Sequence, residues 1–423
     1  MGVSRFSLSQ PLSHIVCAAT LLVLIISLAI LVIQVFAHTL ARNADTIQAA
    51  EFAASASSGD PLTRYRYANF LERSFDLSAI PRSLAEYETS VALSPHNFIY
   101  WLALGQARER DGDRSVAETA YRRALELAPN YARTKWALGN NLVRQGKIDD
   151  GFAMIRGAVE QDATFASPAV VAAMQVFDGD VQLVASVLGP SPAAAAELAK
   201  YLANEGRYDE ALVAWDRVAS DAKLTTLRET GIAIRSKLLE AKKYRGAAAV
   251  TASIEPNEAK RPINEAVANG GFETGVETQN ADVFEWQIGY PYPLIGLSEN
   301  QPKEGRYSLL MRFPTAARLD LATVSRTVVV EPGAKYDLSL SYRADLNTRA
   351  EFRWEVVSAA DGKQLAVSEP LAHSAGWTDV TLQLTVPGDR DGITFRLIRE
   401  NCSSAACTVS GNVWFDDFEL KRN

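Results

Sequence analysis

Large and small residues recur every 34 positions in the first half of this 423-residue chain. Trp101, Leu104, Gly105, Ala117, Tyr121, Ala124 and Pro129 form the best copy. Tyr67, Phe70, Tyr87 and Pro95 stand one period earlier, and Leu138, Gly139, Gly151, Ile155 and Ala158 one period later. A period of this length is too long for a single helix face and fits a helix hairpin repeated and stacked. Small residues such as Gly105 and Ala117 let the two helices of a hairpin approach, Trp101 and Tyr121 fill the gap to the next hairpin, and Pro129 stops the second helix.

Weaker copies continue the pattern. Gly206, Tyr208, Ala211 and Trp215 repeat the turn and second helix, as do Tyr244 and Ala247, and Ser167–Phe177 with Val181–Leu188 reads as a degenerate hairpin. About six hairpins are expected over residues 61–255. At these spacings the segment resembles the tetratricopeptide repeat family. The resemblance implies a right-handed solenoid whose concave groove docks a protein partner. The matching inward positions are Ile99, Leu102, Gln106 and Arg110, then Arg133, Trp136, Asn140 and Arg144. Asn140 and Arg144 resemble part of a family clamp for carboxylates, which Lys135 does not complete, and Trp136 reads equally as a packing residue.

After a short tail, 1–14, residues 15–36 carry no charge, and fifteen of them are Leu, Ile, Val or Phe. As a helix rising about 1.5 Å per residue this run is long enough for a ~30 Å hydrocarbon core, and it exceeds the ~7–15 apolar residues of a cleaved signal. It reads as a single-pass anchor in the lipid bilayer. Arg5 before it and Arg42 after it specify orientation weakly; the expectation is a body on the extracytoplasmic, periplasmic side of a bacterial inner membrane. The Ala- and Ser-rich stretch 37–60 suits a linker, either a helical extension or a tether.

Beyond a second linker, 256–264, the periodicity changes to alternation, and residues 265–423 read as an antiparallel β-sandwich of about eight strands. Tyr336, Leu338, Leu340 and Tyr342 alternate with polar neighbours, as do Phe352/Trp354/Val356, Val380/Leu382/Leu384/Val386 and Ile393/Phe395/Leu397. Pro332-Gly333, Asp361-Gly362 and Pro387-Gly388 mark turns. The apolar parity slips between Phe415 and Phe418, which predicts a bulge at Asp416 or Asp417.

This segment resembles the galactose-binding-like jelly rolls, in particular carbohydrate-binding modules of the family 4/9/22 type. The resemblance rests on Asn269-Gly270-Gly271-Phe272-Glu273, Trp286, Gly305-Arg306-Tyr307-Ser308-Leu309, Val330-Glu331-Pro332-Gly333 and Phe415-Asp416-Asp417-Phe418-Glu419-Leu420. It implies a structural calcium held by Glu273 with Asp416 or Asp417. Glycan contact needs exposed aromatic faces; Trp286, Tyr290 and Tyr292, in a Pro-rich stretch, and Trp377 are the candidates, with core packing as the alternative.

The net charge of −7 lies wholly in the last third, where residues 265–423 carry 15 basic and 22 acidic groups. No basic field gathers nucleic acid, and the acidic module disfavours anionic glycans. Cys402 and Cys407 are placed to close a small disulfide loop in an oxidising compartment. No phosphate loop, dinucleotide fingerprint, zinc-protease helix or nucleophile elbow occurs. The expectation is a non-enzymatic membrane scaffold of the cell envelope that recruits a protein through its repeats and binds a polysaccharide or assembly partner through its sandwich, as in exopolysaccharide export. The alternatives are a pure protein scaffold and, less favoured, a carbohydrate-processing enzyme.

Overall fold

The computed structural model describes residues 11–74, 76–277, 279, 281–289, 293–316, 324–400 and 408–423. The chain forms two compact units, residues 1–191 and 192–423.

The first unit is helical. Helix α1 (Pro11–Asn43) is followed by α2 (Ile47–Ala56) and by the hairpins α3 (Pro61–Arg73)/α4 (Ile80–Leu93), α5 (Phe98–Arg110)/α6 (Arg114–Leu127), α7 (Ala132–Arg144)/α8 (Ile148–Gln161) and α9 (Ala166–Val176)/α10 (Val181–Leu188). Polar residues start the helices: the Asn97, Asp113 and Asp180 side chains accept from the first-turn amides of α5, α6 and α10. Gly112 and Gly146, one period apart, take the left-handed conformation that turns each first helix into its partner, at φ 94° and 80°.

Helix α1 has mean hydropathy 3.1 over its most apolar window and is long and apolar enough to cross a membrane by length and composition. Residues 14–36 are exposed along its whole circumference, whereas Ala37 and Ala41 are completely buried. Of the two readings of 37–60, the structure shows the helical extension. The end of α1 packs on α2 and α3, and Arg66 of α3 donates from Nε to the Ala41 carbonyl at 3.0 Å.

Neighbouring hairpins are tied by a repeated three-residue device. The Tyr121 hydroxyl and Arg144 both donate to Glu109, at 2.8 and 3.1 Å. One period earlier the Tyr87 hydroxyl donates to Glu72 at 2.8 Å and Arg110 pairs with the same carboxylate. Burial pushes the Tyr87 and Tyr121 phenols far up, so both stay protonated donors.

The second unit begins with α11 (Pro192–Asn204), α12 (Tyr208–Asp216), α13 (Ser220–Leu224), α14 (Arg228–Glu240) and α15 (Tyr244–Ile254). Counting from residue 61, six hairpins are present among the described residues, the number the periodicity predicts.

Ten strands follow: β1 (Gln287–Ile288), β2 (Leu294–Ser298), β3 (Ser308–Ala316), β4 (Val324–Val329), β5 (Lys335–Thr348), β6 (Glu351–Ser358), β7 (Gln364–Val367), β8 (Ser374–Thr385), β9 (Gly392–Glu400) and β10 (Val409–Arg422). They form two antiparallel sheets ordered β1-β4-β9-β6-β7 and β2-β3-β10-β5-β8. The excess over eight comes from strands such as β1 and β7, too short to show alternation. The bulge occurs where the parity slips: β10 loses register against β5 between Asp416 and Glu419, and Asp417 takes φ 54°. Phe272, Trp286, Trp354, Phe395, Phe415 and Phe418 fill the core.

The sandwich also caps the last helix. Lys243 at the N-terminus of α15 makes no side-chain cap; instead Asp391 accepts from the Tyr244 and Arg245 amides at 3.2 and 2.9 Å. Arg245 reaches Glu331 at 2.6 Å and the Val330 carbonyl at 3.1 Å.

Candidate functional site

The residues expected to form a glycan surface separate. Trp286 is a core residue, 2% exposed. Its ring centre lies 4.9 Å from those of Phe272 and Phe418, and its indole N–H donates to the Asn269 carbonyl at 3.0 Å. Its ring packs in the core, not on an outer face, and borders only the cavity lined by Arg326 and Lys260, which corrects its assignment to an exposed glycan-stacking surface. Tyr290 and Tyr292 lie outside the described residues, as do Cys402 and Cys407.

Trp377, on β8, is half-buried and stands on the outward face of the β2-β3-β10-β5-β8 sheet. Its neighbours there are Arg343 and Trp414, which oppose one another across β5 and β10. Their parity is opposite to that of the core pair Tyr342 and Phe415, so both point away from the core. The Arg343 Cζ lies 4.2 Å from the Trp414 ring centre and 5.7 Å from that of Trp377. Gln301 fixes this stack: its side-chain oxygen accepts from Arg343 at 2.8 Å and its carbonyl from the Trp377 indole at 3.1 Å.

Asp379 adjoins the stack, accepting from the Ser341 hydroxyl at 2.6 Å and from Lys303 at 3.1 Å. These two hydrogen bonds, Ser341 first, hold its carboxyl below the usual range. The surface therefore combines the Trp377 ring with an ionised carboxylate over a buried guanidinium, Arg343 being 8% exposed and held by Gln301 and the Asn300 carbonyl. An exposed ring and carboxylate suit the C–H faces and hydroxyls of a sugar. Trp414 and Arg343 were not singled out from sequence. The available signal was parity, since each sits one residue away from an inward-facing aromatic.

The expected calcium ligands have other partners. Glu273 Oε1 accepts from the Arg306 and Tyr307 amides at 2.9 and 3.0 Å. Asp416 is fully buried, with Oδ2 accepting from the Lys303 and Glu304 amides and Oδ1 from the Asp417 amide. Among the described residues no group of three or more metal-competent side chains assembles. Glu273 and Asp416 both flank Gly271, and they hold residues 303–307 against the first and last strands.

In the first unit, the positions assigned to a groove divide likewise. Arg110 and Arg144 are engaged by Glu72 and Glu109. Asn140 donates to the carbonyl of Trp136 in its own helix at 2.8 Å, and Trp136 packs on Phe165 with ring centres 5.3 Å apart. Arg144 keeps 61% of its side chain exposed while paired with Glu109, and the Asn140 amide is engaged within its own helix. Gln106 is half-buried, whereas Ile99 is 45% exposed and Arg133 is exposed.

Residues 34–179 match the tetratricopeptide repeat family model. No curated protein matches the sequence. Among solved structures, a CBM4 module is similar to 37% of this chain over 99% of its own, at 17% identity and TM-score 0.29. MamA is similar to 47% of this chain over 89% of its own, at 15% identity and TM-score 0.28. YrrB, a TPR protein with an unusual peptide-binding site, is similar to 49% over 91%, at 17% identity and TM-score 0.27. The helical region 34–179 is a tetratricopeptide repeat array, followed later in the chain by an antiparallel β-sandwich.

Proposed function

We propose that this chain is a single-pass membrane scaffold acting by binding rather than by catalysis. Its repeat array recruits a protein partner, and its sandwich contacts a glycan, within an envelope assembly such as a polysaccharide-export apparatus on the extracytoplasmic side. The observation that carries the reading is the repeat array itself, with Ile99 and Arg133 exposed on the first helices of successive hairpins. First helices of stacked hairpins line one continuous face, which leaves these positions open to a partner.

Photo-crosslinking residues placed at Ile99 and Arg133 of the full chain in its membrane are expected to capture one common protein, and a residue placed at Val116 on a second helix is not. Equal capture from all three positions, or none, would remove the scaffold reading. The glycan reading is favoured by the Trp377, Arg343 and Trp414 stack with Asp379 beside it. Binding of the full chain to a panel of neutral oligosaccharides tests it, and loss on Trp377→Ala is the expected result.

A further inference from the structure

Arg326 occupies a position where a strand turns its side chains toward the core. In β4 the core residues Val324 and Val328 share its parity, and Arg326 itself is 6% exposed. Its Cζ lies 5.7 Å from the ring centre of Trp286. The side chain also lines a cavity of about 210 Å³ together with Lys260, Asn269, Thr274, Glu277 and Glu285. Among the described residues no hydrogen bond or ion pair engages its guanidinium; Glu285 acts on it only at a distance. Burial pushes its pKa down to about 10. A guanidinium at this depth is costly unless an anion meets it.

We propose that this cavity is a carboxylate-binding site anchored by Arg326, sized for a small monoanion such as a uronic acid. The in-plane N–H groups of the Arg326 guanidinium are engaged by none of the described residues, and their fork matches the two oxygens of a carboxylate. The charges of the lining set the valence. Lys260 stands 3.0 Å from Glu277 and 3.6 Å from Glu285, so one cation already serves two carboxylates. Arg326 brings the charged lining to neutrality, so a bound monoanion leaves one net negative charge and a dianion such as phosphate two, which favours the monoanion. Asn269 and Thr274 supply polar walls, although the Asn269 amide is engaged by the Gly275 carbonyl and the Thr274 amide. The site is separate from the outward face that carries Trp377, and it stands or falls independently of neutral-glycan binding there.

The test is calorimetric titration and thermal denaturation of the full chain in detergent, with sodium glucuronate, glucose and sodium acetate at constant ionic strength. Glucuronate is expected to bind saturably and raise the midpoint, and glucose to do neither. Acetate binding as well shows that the carboxylate alone suffices; binding of glucuronate alone shows that the ring adds contacts; both uphold the site. Arg326→Met is expected to weaken glucuronate at least about tenfold, while its midpoint without ligand stays level or rises, because an unpaired buried charge is gone. Arg326→Lys, which keeps the charge without the fork, gives a second variant should the first fail to fold, and it too is expected to weaken binding. No saturable binding of either carboxylate, equal binding of glucose and glucuronate, or unaltered glucuronate binding by the variants would overturn the proposal.

Discussion

The hydroxyl of Tyr244 donates to the backbone carbonyl of Ala359 at 2.7 Å, across 115 residues of sequence. A Cβ added at Gly392 would lie 2.6 Å from Cδ2 of the same tyrosine. Gly392→Ala is therefore expected to cost about 1–3 kcal/mol by overpacking. Tyr244→Phe, which removes one hydrogen bond, should cost about 1 kcal/mol. Thermal denaturation checks the ranking, and faster proteolysis within 256–264 would report the loosened contact.

The two tryptophans proposed from sequence for one role should behave oppositely. Trp286→Ala empties the aromatic core and is expected to cost about 3–5 kcal/mol. Trp377→Ala should leave the fold nearly as stable while removing neutral-oligosaccharide binding. Denaturation and titration of the same two variants separate the roles, and a Trp377 variant that binds normally would shift the glycan surface elsewhere.

Close approach within one hairpin sets a third expectation. A Cβ at Gly139 would meet the Gly151 carbonyl oxygen at 2.9 Å, and one at Gly151 would meet the Gly139 oxygen at the same distance. Backbone cannot rotate aside as a side chain can. Gly139→Ala and Gly151→Ala should each destabilise the repeat array by about 1–3 kcal/mol, read as a lowered unfolding midpoint and loss of far-ultraviolet ellipticity at lower temperature.

Glu118 gives the array a pH dependence. Hydrogen bonds from Lys147 first, then Arg122 and Gln145, hold its carboxyl down at about 2 against an ordinary 4.5. A lowered folded pKa means that the unfolded chain takes up the proton first as pH falls. Its stabilisation is complete above about pH 4.5 and is lost progressively down to about pH 2. Glu118→Gln should lower stability at pH 7 and flatten the fall over that window, as measured by denaturant midpoints at stepped pH.

Asp416→Ala should loosen residues 303 and 304 while Glu273 keeps 306 and 307, leaving three amides, those of Lys303, Glu304 and Asp417, without their acceptor at a cost of about 2 kcal/mol or more. The loss is expected to be the same in chelator as in added calcium. A wild-type midpoint that rises with calcium and falls with chelator would restore the metal.

Periodicity carried most of the architecture. The 34-residue recurrence and the alternation through Tyr336–Tyr342 each follow from side chains facing one core, so the hairpins and the long strands were legible. Parity even narrowed the bulge to Asp416 or Asp417, and the left-handed residue is Asp417. The sites were less legible, because they depend on what stands opposite. Trp286 and Trp377 are the same residue type, and only the pairing of strands decides that one meets Phe272 and the other Arg343. The acidic surplus of the last third argued against anions, yet it is an average over a surface and says nothing of Arg326, whose depth appears only when β4 is packed. Asp391 capping α15 joins positions 146 and 147 residues apart, beyond the reach of any local motif.

Helix α1 runs without a break from the exposed apolar stretch into the buried turn at Ala37 and Ala41. On the proposed membrane reading, such a helix is a drive shaft between bilayer and repeats. Each inserted residue turns the chain beyond it by about 100° and advances it about 1.5 Å. One extra residue after Phe36 would thus swing the repeats through more than a quarter turn relative to the apolar stretch 15–36, whereas seven extra residues would restore them to within about 20°. On that reading the phase of the helix, and not only its length, sets which way the first helices of the repeats face.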